Sequence, residues 1–433
     1  MMTHIFQTGR KAAYFKALKP YFRRSCVSSV ALFLFLYSLT LPAQPLDTLL
    51  SQLPQTNPEL RALTLEYQVA LQMAPQVSQL QDPDLRLGWF VLPPETRLGP
   101  QRLWLIFNQM LPWPGKLEAQ KQLALAKAAP LLEKIAARQL ILEQSLKKSW
   151  LKLYQNYKLE VVLDEYLEIY DSWEQIALNK VENNKATSVE VYRIQLQKRE
   201  LQQRKALLEI EKIGPQAEVN RLLGRVSNAA ITVSGFLGIP ELPVNLADLL
   251  ARVGTDHPML RIYELEQAVA RQALELNRLD GKPDFTVGVD YFLLGKRTDA
   301  DPAGNGRDVL MPHVSVSIPI NRGKYRAKEQ EETLRVQALD QRQLDQLNTF
   351  SAMVETALAQ YRWAQSEIAF VDEQVYLLRT MLRVAQSDYA NDRLSFEELL
   401  RMQKELIDYH ERNLAAVVVM HSAMADLQFY LLF

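Results

Sequence analysis

The chain has 433 residues, 48% of them hydrophobic, with 50 basic residues balancing 50 acidic ones, 15 glycines and one cysteine. That length allows two or three ordinary domains, and so few glycines suit long helices better than many short elements joined by turns. A single cysteine excludes a disulfide framework, and the balanced charge offers no basic field for a nucleic acid.

The first 43 residues read as an export signal. Arg10, Lys11, Lys16, Lys19, Arg23 and Arg24 form a basic stretch with no acidic residue, and Val27 to Leu41 is an apolar run of 15 residues. Such a run is short for a membrane-spanning helix and suits a cleaved leader ending at Leu41-Pro42-Ala43. Cleavage would leave a thiol-free mature chain with an excess of six acidic residues. No later segment reaches the 18 apolar residues of a transmembrane helix, so any membrane crossing beyond the leader must be made by strands.

A first repeat is expected over residues 44–224. Leu46 to Leu53 is a short amphipathic piece stopped by Pro54. A helix starts at Pro58, a favourable first helical position, is kinked at Pro75 and ends near Gln81-Asp82-Pro83. Two strands follow, 84–92 and 102–111. Leu85, Leu87, Trp89 and Val91 alternate with Asp84, Arg86, Gly88 and Phe90; Leu103, Leu105, Phe107 and Leu111 alternate with Arg102, Trp104, Asn108 and Met110. From Lys116 to Asn183 only Pro130, expected to bend the chain, opposes a helix of roughly 100 Å at about 1.5 Å per residue. After a turn at 184–187, helix resumes from Ser188 to Leu223 and stops at Gly224.

Residues 225–245 read as an irregular linker, with Ile231-Thr232-Val233 as a short strand. The plan then returns over 246–433. Leu246 to Val253 is the short piece, and Pro258 to Leu279 the short helix. Strands 284–293 and 311–320 flank a polar loop from Gly295 to Asp308. A second helix near 100 Å runs from Asn321-Arg322-Gly323-Lys324 to Asn391, and a turn at 392–395 precedes the last helix. The match is residue by residue. Asn57-Pro58-Glu59-Leu60 returns as His257-Pro258-Met259-Leu260, and Asp82-Pro83-Asp84-Leu85 as Lys282-Pro283-Asp284-Phe285, 200 residues on; Gly115-Lys116 returns as Gly323-Lys324, and Thr187-Ser188-Val189-Glu190 as Ser395-Phe396-Glu397-Glu398, 208 on. One insertion separates the two offsets.

Two constellations stand out. At the turns, Asn184-Lys185-Ala186-Thr187 aligns with Asp392-Arg393-Leu394-Ser395. Asn and Asp can take the left-handed conformation that ends a helix. Thr187 and Ser395 can cap the next one, with Glu190 and Glu398 completing a capping box three residues later. The strands form the second. Each has nine or ten residues, enough to cross a bilayer when tilted, and Asp284, Thr286, Asp290, His313, Ser315 and Ser317 are set on the face opposite Phe285, Val287, Val289, Val314, Val316 and Ile318. That is the pattern of a barrel with lipid outside and water inside. Four strands cannot close a barrel, and an open edge in lipid leaves backbone groups unpaired, so identical copies must pool their strands. Eight strands leave an interior filled by side chains, and a channel needs more.

Catalytic chemistry is thin. His257, His313, His410 and His421 show no ligand spacing, no glycine loop cradles phosphate, and no serine sits in a nucleophile elbow. Neither an enzyme, a metal site nor a cofactor is expected. The duplicated halves, strand pairs and long helices resemble the TolC-like outer-membrane efflux family. Asp82-Pro83-Asp84-Leu85, Gln109-Met110-Leu111-Pro112-Trp113-Pro114-Gly115-Lys116 and Tyr389 through Leu400 are similar to its motifs in order and spacing. The family often has glycine where Asn184 and Asp392 stand.

The resemblance implies a mainly α fold with a small β part: a homotrimeric α-helical tunnel joined to a shared twelve-stranded barrel in outer-membrane lipid, with the tunnel in the periplasm. It implies a periplasmic adaptor and an inner-membrane RND-type or similar pump as partners. Asn184, Lys185, Thr187, Glu190, Asp392, Arg393, Ser395 and Glu398 would form the periplasmic tip where gate and adaptor meet. The expected function is a passive exit duct for small toxic solutes, drugs or metal ions. A duct for protein secretion and an exported coiled-coil scaffold without a barrel are the alternatives.

Overall fold

The computed structural model describes residues 46–433 apart from 234, 243–246, 249, 250, 252, 255 and 392. The leader expected over 1–43, half of the short piece at 246–253, and Asp392 therefore lie outside the described residues.

The first half contains α1 (Leu46–Thr56), α2 (Pro58–Leu71), α3 (Met73–Val77), β1 (Asp84–Trp89), β2 (Glu95–Thr96), β3 (Gly99–Leu111), α4 (Lys116–Glu182) and α5 (Ser188–Leu222); the second contains α6 (Pro258–Asp280), β4 (Asp284–Leu294), β5 (Val309–Ser317), α7 (Gly323–Ala390) and α8 (Phe396–Leu431). α4 has 67 residues and α7 has 68, so each is roughly 100 Å long. α4 is unbroken through Pro130 and α1 through Pro54. Pro75 acts as expected but upstream of itself. It has no N–H for the Leu71 carbonyl and its ring crowds that position, so α2 stops at Leu71 and a turn at Gln72 separates it from α3.

The strands form one antiparallel sheet in the order β1-β3-β4-β5, with β2 clipped to the start of β3. The two halves thus meet inside the sheet, where Phe107 lies opposite Val289 and Asn108 opposite Gly288. β1 ends at Trp89, short of the expected 92, because Pro93 and Pro94 stop the ladder. β3 starts three residues early and carries a bulge between Gln101 and Leu103. β5 spans Val309–Ser317, not 311–320: Pro319 cannot donate to a ladder, whereas Pro312 is tolerated because β5 is an edge strand. The far loops are tied together, Gly295 N–H donating to Pro100 O at 2.7 Å and Gly306 N–H to Leu98 O at 2.6 Å. Gly99, at φ +130°, has to be glycine, since a Cβ there would stand 1.8 Å from the Gly295 carbonyl oxygen.

The helices keep the order of the strands. Next to the sheet, α2 packs on α4, α4 on α6 and α6 on α7; farther away, α5 packs on α4, α4 on α8 and α8 on α7. Three tiers therefore share one lateral order: β1-β3-β4-β5, α2-α4-α6-α7 and α5-α4-α8-α7. Leu142, Leu146, Trp150, Leu153, Tyr154, Val219 and Leu222 form a buried cluster midway; Leu163, Tyr170, Ile194, Leu208, Leu382, Phe396 and Leu406 form another toward the turns. Ile231-Thr232-Val233 is not a strand. Ile231 is 3% exposed in the mid-bundle cluster. The segment around it is held against α4, with Tyr157 Oη donating to Ile231 O at 3.3 Å and the Leu237 amide donating to Tyr154 Oη at 3.1 Å.

Short and returning helices are spliced end to end. Asn57 caps α2 by accepting from the Leu60 amide at 3.0 Å, while its Nδ2 donates to Leu222 O, the end of α5, at 2.8 Å. His257, 200 residues later, does the same: Nδ1 accepts from the Met259 amide at 3.2 Å, and Nε2 reaches Phe429 O at the end of α8, 3.1 Å away. Each buried side chain satisfies an orphan donor of one helix and an orphan acceptor of another. α2 with α5, and α6 with α8, thereby become composite rods that nearly match α4 and α7.

Candidate functional site: the helical tip and the sheet face

Asn184 has φ +56°, the left-handed value expected of it. Lys185 N–H donates to Lys180 O at 2.8 Å and Arg393 N–H to Asp388 O at 2.8 Å, the six-to-one bond of a Schellman ending in both copies. Sequence reasoning passed over Asn183 and Asn391, which also match: their Nδ2 groups donate to Asn179 O at 2.7 Å and Ser387 O at 2.8 Å. The signal was there, an asparagine before each turn at the same 208-residue offset.

The capping boxes do not form as expected. Ser395 Oγ accepts from the Glu398 amide at 3.4 Å, whereas the Thr187 side chain makes no capping bond. Glu398 pairs with Arg401 at 3.1 Å. Glu190 instead accepts a hydrogen bond from Tyr389 Oη at 2.9 Å. Tyr389 joins the two hairpins: Lys180 Nζ donates to its carbonyl at 3.0 Å and lies 3.7 Å from its ring centroid, and Phe396 packs 5.5 Å from that ring. Arg193 and Glu397 add an ion pair at 2.6 Å. Away from the turn, Lys212 of α5 is bound by Glu160 of α4 at 2.5 Å, and Lys205 by Asp164 at 2.6 Å. The Lys212 bond holds the Glu160 carboxyl below its ordinary range.

In the sheet, register puts Asp284 opposite Ser317, Thr286 opposite Ser315, Gly288 opposite His313 and Asp290 opposite Met311. Directly opposed residues share a face, so all six polar strand residues singled out in the sequence lie together. The other face exposes Leu85, Leu87, Trp89, Val287, Val289, Val314 and Val316. Asp284 is committed elsewhere: its carboxylate accepts from the Trp113 amide at 2.9 Å and from Lys116 Nζ at 2.9 Å, anchoring the base of α4 to β4. Burial alone would lower the Lys116 ammonium, but its bonds to Asp284 and Asp280 outweigh that and hold it above its usual value.

Two glycines 200 residues apart shape the polar face. Trp104 lies across Gly88, and His313 lies across Gly288 to reach Asn108 Oδ1 at 3.1 Å. A Cβ at Gly288 would fall 2.3 Å from that oxygen. Asp290, 8% exposed, sits beside His313. Among the described residues, no group of three His, Cys, Asp or Glu side chains is placed to hold a metal.

No protein-family model matches this chain, and no curated protein does. Solved structures match it over nearly its full length. The channel CusC superimposes with a TM-score of 0.72 at 16% identity, covering 91% of this chain and 95% of CusC. The fold is that of the TolC-like outer-membrane channels. The outer-membrane channel OprN gives 0.70 at 17% identity, covering 89% of each chain. The open state of the MtrE outer membrane channel of Neisseria gonorrhoeae gives 0.67 at 14%, covering 90% of this chain and 89% of MtrE.

Proposed function

We propose that three copies of this chain form an outer-membrane duct through which small toxic solutes leave the cell. The observation that carries this reading is the shared lateral order of the three tiers, open at both sides. β1, α2 and α5 form one margin, and β5 and α7 the other. Both margins are unfinished. α5 exposes Val189, Tyr192, Leu196, Ile210 and Ile213, and α7 exposes Trp363, Phe370, Leu377 and Val384 at seven-residue spacing. Apolar seams of that period bury themselves against another helix. A head-to-tail contact of one margin with the other generates a ring when its rotation closes, and the same contact would pair β5 of one copy with β1 of the next. Twelve strands leave a lumen, whereas eight would be filled by side chains.

In this reading the exposed apolar sheet face meets lipid. Thr286, Asp290, His313, Ser315 and Ser317 face water inside, with Asp284 at the base. The leader, 1–43, would deliver the chain to the outer membrane, the two repeats would follow over 44–224 and 246–433, and the helices would stand in the periplasm. The tip, with Asn184, Lys185, Thr187, Glu190, Asp392, Arg393, Ser395 and Glu398, would be the gate and the docking place of a periplasmic adaptor. That adaptor would connect the duct to an RND-type or similar pump. The duct would do no chemistry of its own. A coiled-coil scaffold without a barrel would leave the apolar sheet face in water, which soluble proteins avoid.

Purified protein in planar bilayers tests the reading. Discrete conductance steps from a species with three times the chain mass support it; a single chain without conductance overturns it.

A further inference from the structure

Within one chain, the recess over Gly288 holds an unsatisfied pair. Asp290 Oδ1 and His313 Nδ1 are both buried and neither has a hydrogen-bond partner. They face each other across 3.5 Å. Buried polar atoms are nearly always partnered, so two orphans side by side require an explanation. Asn108 supplies part of it. Its carbonyl oxygen accepts at His313 Nε2, 3.1 Å away, which puts a proton on Nε2; in the neutral ring Nδ1 is then a lone pair aimed at a carboxylate. Two electron-rich atoms do not sit so close unless a positive charge lies between them. A hydrogen bond would draw them to about 2.7–3.2 Å. Two ligands of a tetrahedral zinc ion, each about 2.1 Å from the metal, stand roughly 3.4 Å apart.

We propose that this recess is a binding site for a borderline divalent cation such as zinc, held by His313 Nδ1 and Asp290 Oδ1, with water in the remaining positions. Asn108 is the positioning residue. It fixes the tautomer and the ring, as carboxylates and carbonyls behind metal-bound histidines commonly do. Gly288 is the space the ring needs. Only two protein ligands are present, which is why no three-residue cluster marks the place. A site this sparse exchanges its ion readily, as suits a position on a solute's path, where binding must be weak enough to release. Both ligands and Asn108 come from β3, β4 and β5 of the same chain, so the site does not depend on assembly.

Chelator-treated protein in detergent, titrated with zinc against a chromophoric competitor at neutral pH, tests this. One ion per chain is expected. His313→Ala should abolish uptake, Asp290→Asn should weaken it at least tenfold, and Asn108→Ala should weaken it by about 10- to 100-fold. His421→Gln, on a helix far from the sheet in sequence, should leave uptake unchanged. Asp290→Asn preserves shape. Its cobalt-substituted absorption spectrum, read beside circular dichroism, keeps the test decisive if His313→Ala misfolds. Equal uptake in wild type and His313→Ala, or an unaltered cobalt spectrum in Asp290→Asn, overturns the proposal. A pH titration of His313 with no metal uptake would assign the gap to a proton and also overturn it.

Discussion

His257 carries the joint between α6 and α8 with an imidazole where the first repeat uses the Asn57 amide. It is fully buried, packed edge-on against Phe350 at 4.6 Å and Phe429 at 5.4 Å. Replacing it with alanine orphans the Met259 amide and the Phe429 carbonyl, and should cost about 2–3 kcal/mol. His257→Asn should cost only about 1 kcal/mol, the lost ring contacts, because asparagine already makes both bonds at position 57. Chemical denaturation of the two variants checks the difference.

Burial pushes His257, His410 and His421 below the ordinary histidine value, and the nearby Arg379 lowers His410 further. Their folded pKa values are lowered, so the unfolded chain takes up more protons once pH drops below about 6.5. Stability contributed by the neutral rings is whole above that pH and is lost as pH falls toward the depressed folded values. Melting temperature should decline between pH 7 and 5, and His257→Asn should flatten the decline. Equal slopes in both proteins would refute the assignment. At the turn, Asn184 holds φ +56°, where a β-branched side chain is strained. Asn184→Val should cost about 1–2 kcal/mol, visible as faster amide exchange at residues 180–188.

Between elements, the hairpin of α4 and α5 is joined to that of α7 and α8 at the tip through Tyr389. Tyr389→Phe removes the bond to Glu190 while keeping the ring over Lys180 and against Phe396. The hairpins should then separate more readily. If they form the gate, single-channel conductance should rise, with Glu190→Gln having the smaller effect because an amide oxygen still accepts. Unchanged conductance in Tyr389→Phe would remove this contact from the gate. Elements were legible to different degrees. The 100 Å helices were plain because almost nothing in them breaks a helix. The strand ends were not, because a bulge at Arg102 and the reach of the Pro93-Pro94 and Pro319 breaks depend on how neighbours pair. The first capping box was lost at both ends: the Glu190 amide donates to the Thr187 carbonyl rather than to its hydroxyl, and a tertiary partner, Tyr389, holds the Glu190 carboxylate.

For the whole molecule, the two unfinished margins predict the outcome of surface changes that would be harmless on a monomer. Ile210 is 64% exposed on α5 and Trp363 is 56% exposed on α7. Ile210→Glu or Trp363→Glu should leave the helical circular dichroism of the chain intact and abolish the assembled species in light scattering. Retention of the oligomer in both would show that the seams meet no partner.

The residues by themselves determined the duplication, the helix lengths and the strand faces, and they motivate the proposal that copies pool their strands. Each of these follows from local periodicity, chain geometry or the cost of an unpaired strand edge, none of which needs a neighbour's coordinates. Only the tertiary structure decided that the two strand pairs join through β3 and β4, that Asn57 and His257 splice helices, and that Asp290 and His313 confront each other without a partner. Those depend on which distant segments meet, and hydrogen-bond satisfaction inside a packed molecule is a property of the meeting, not of either segment.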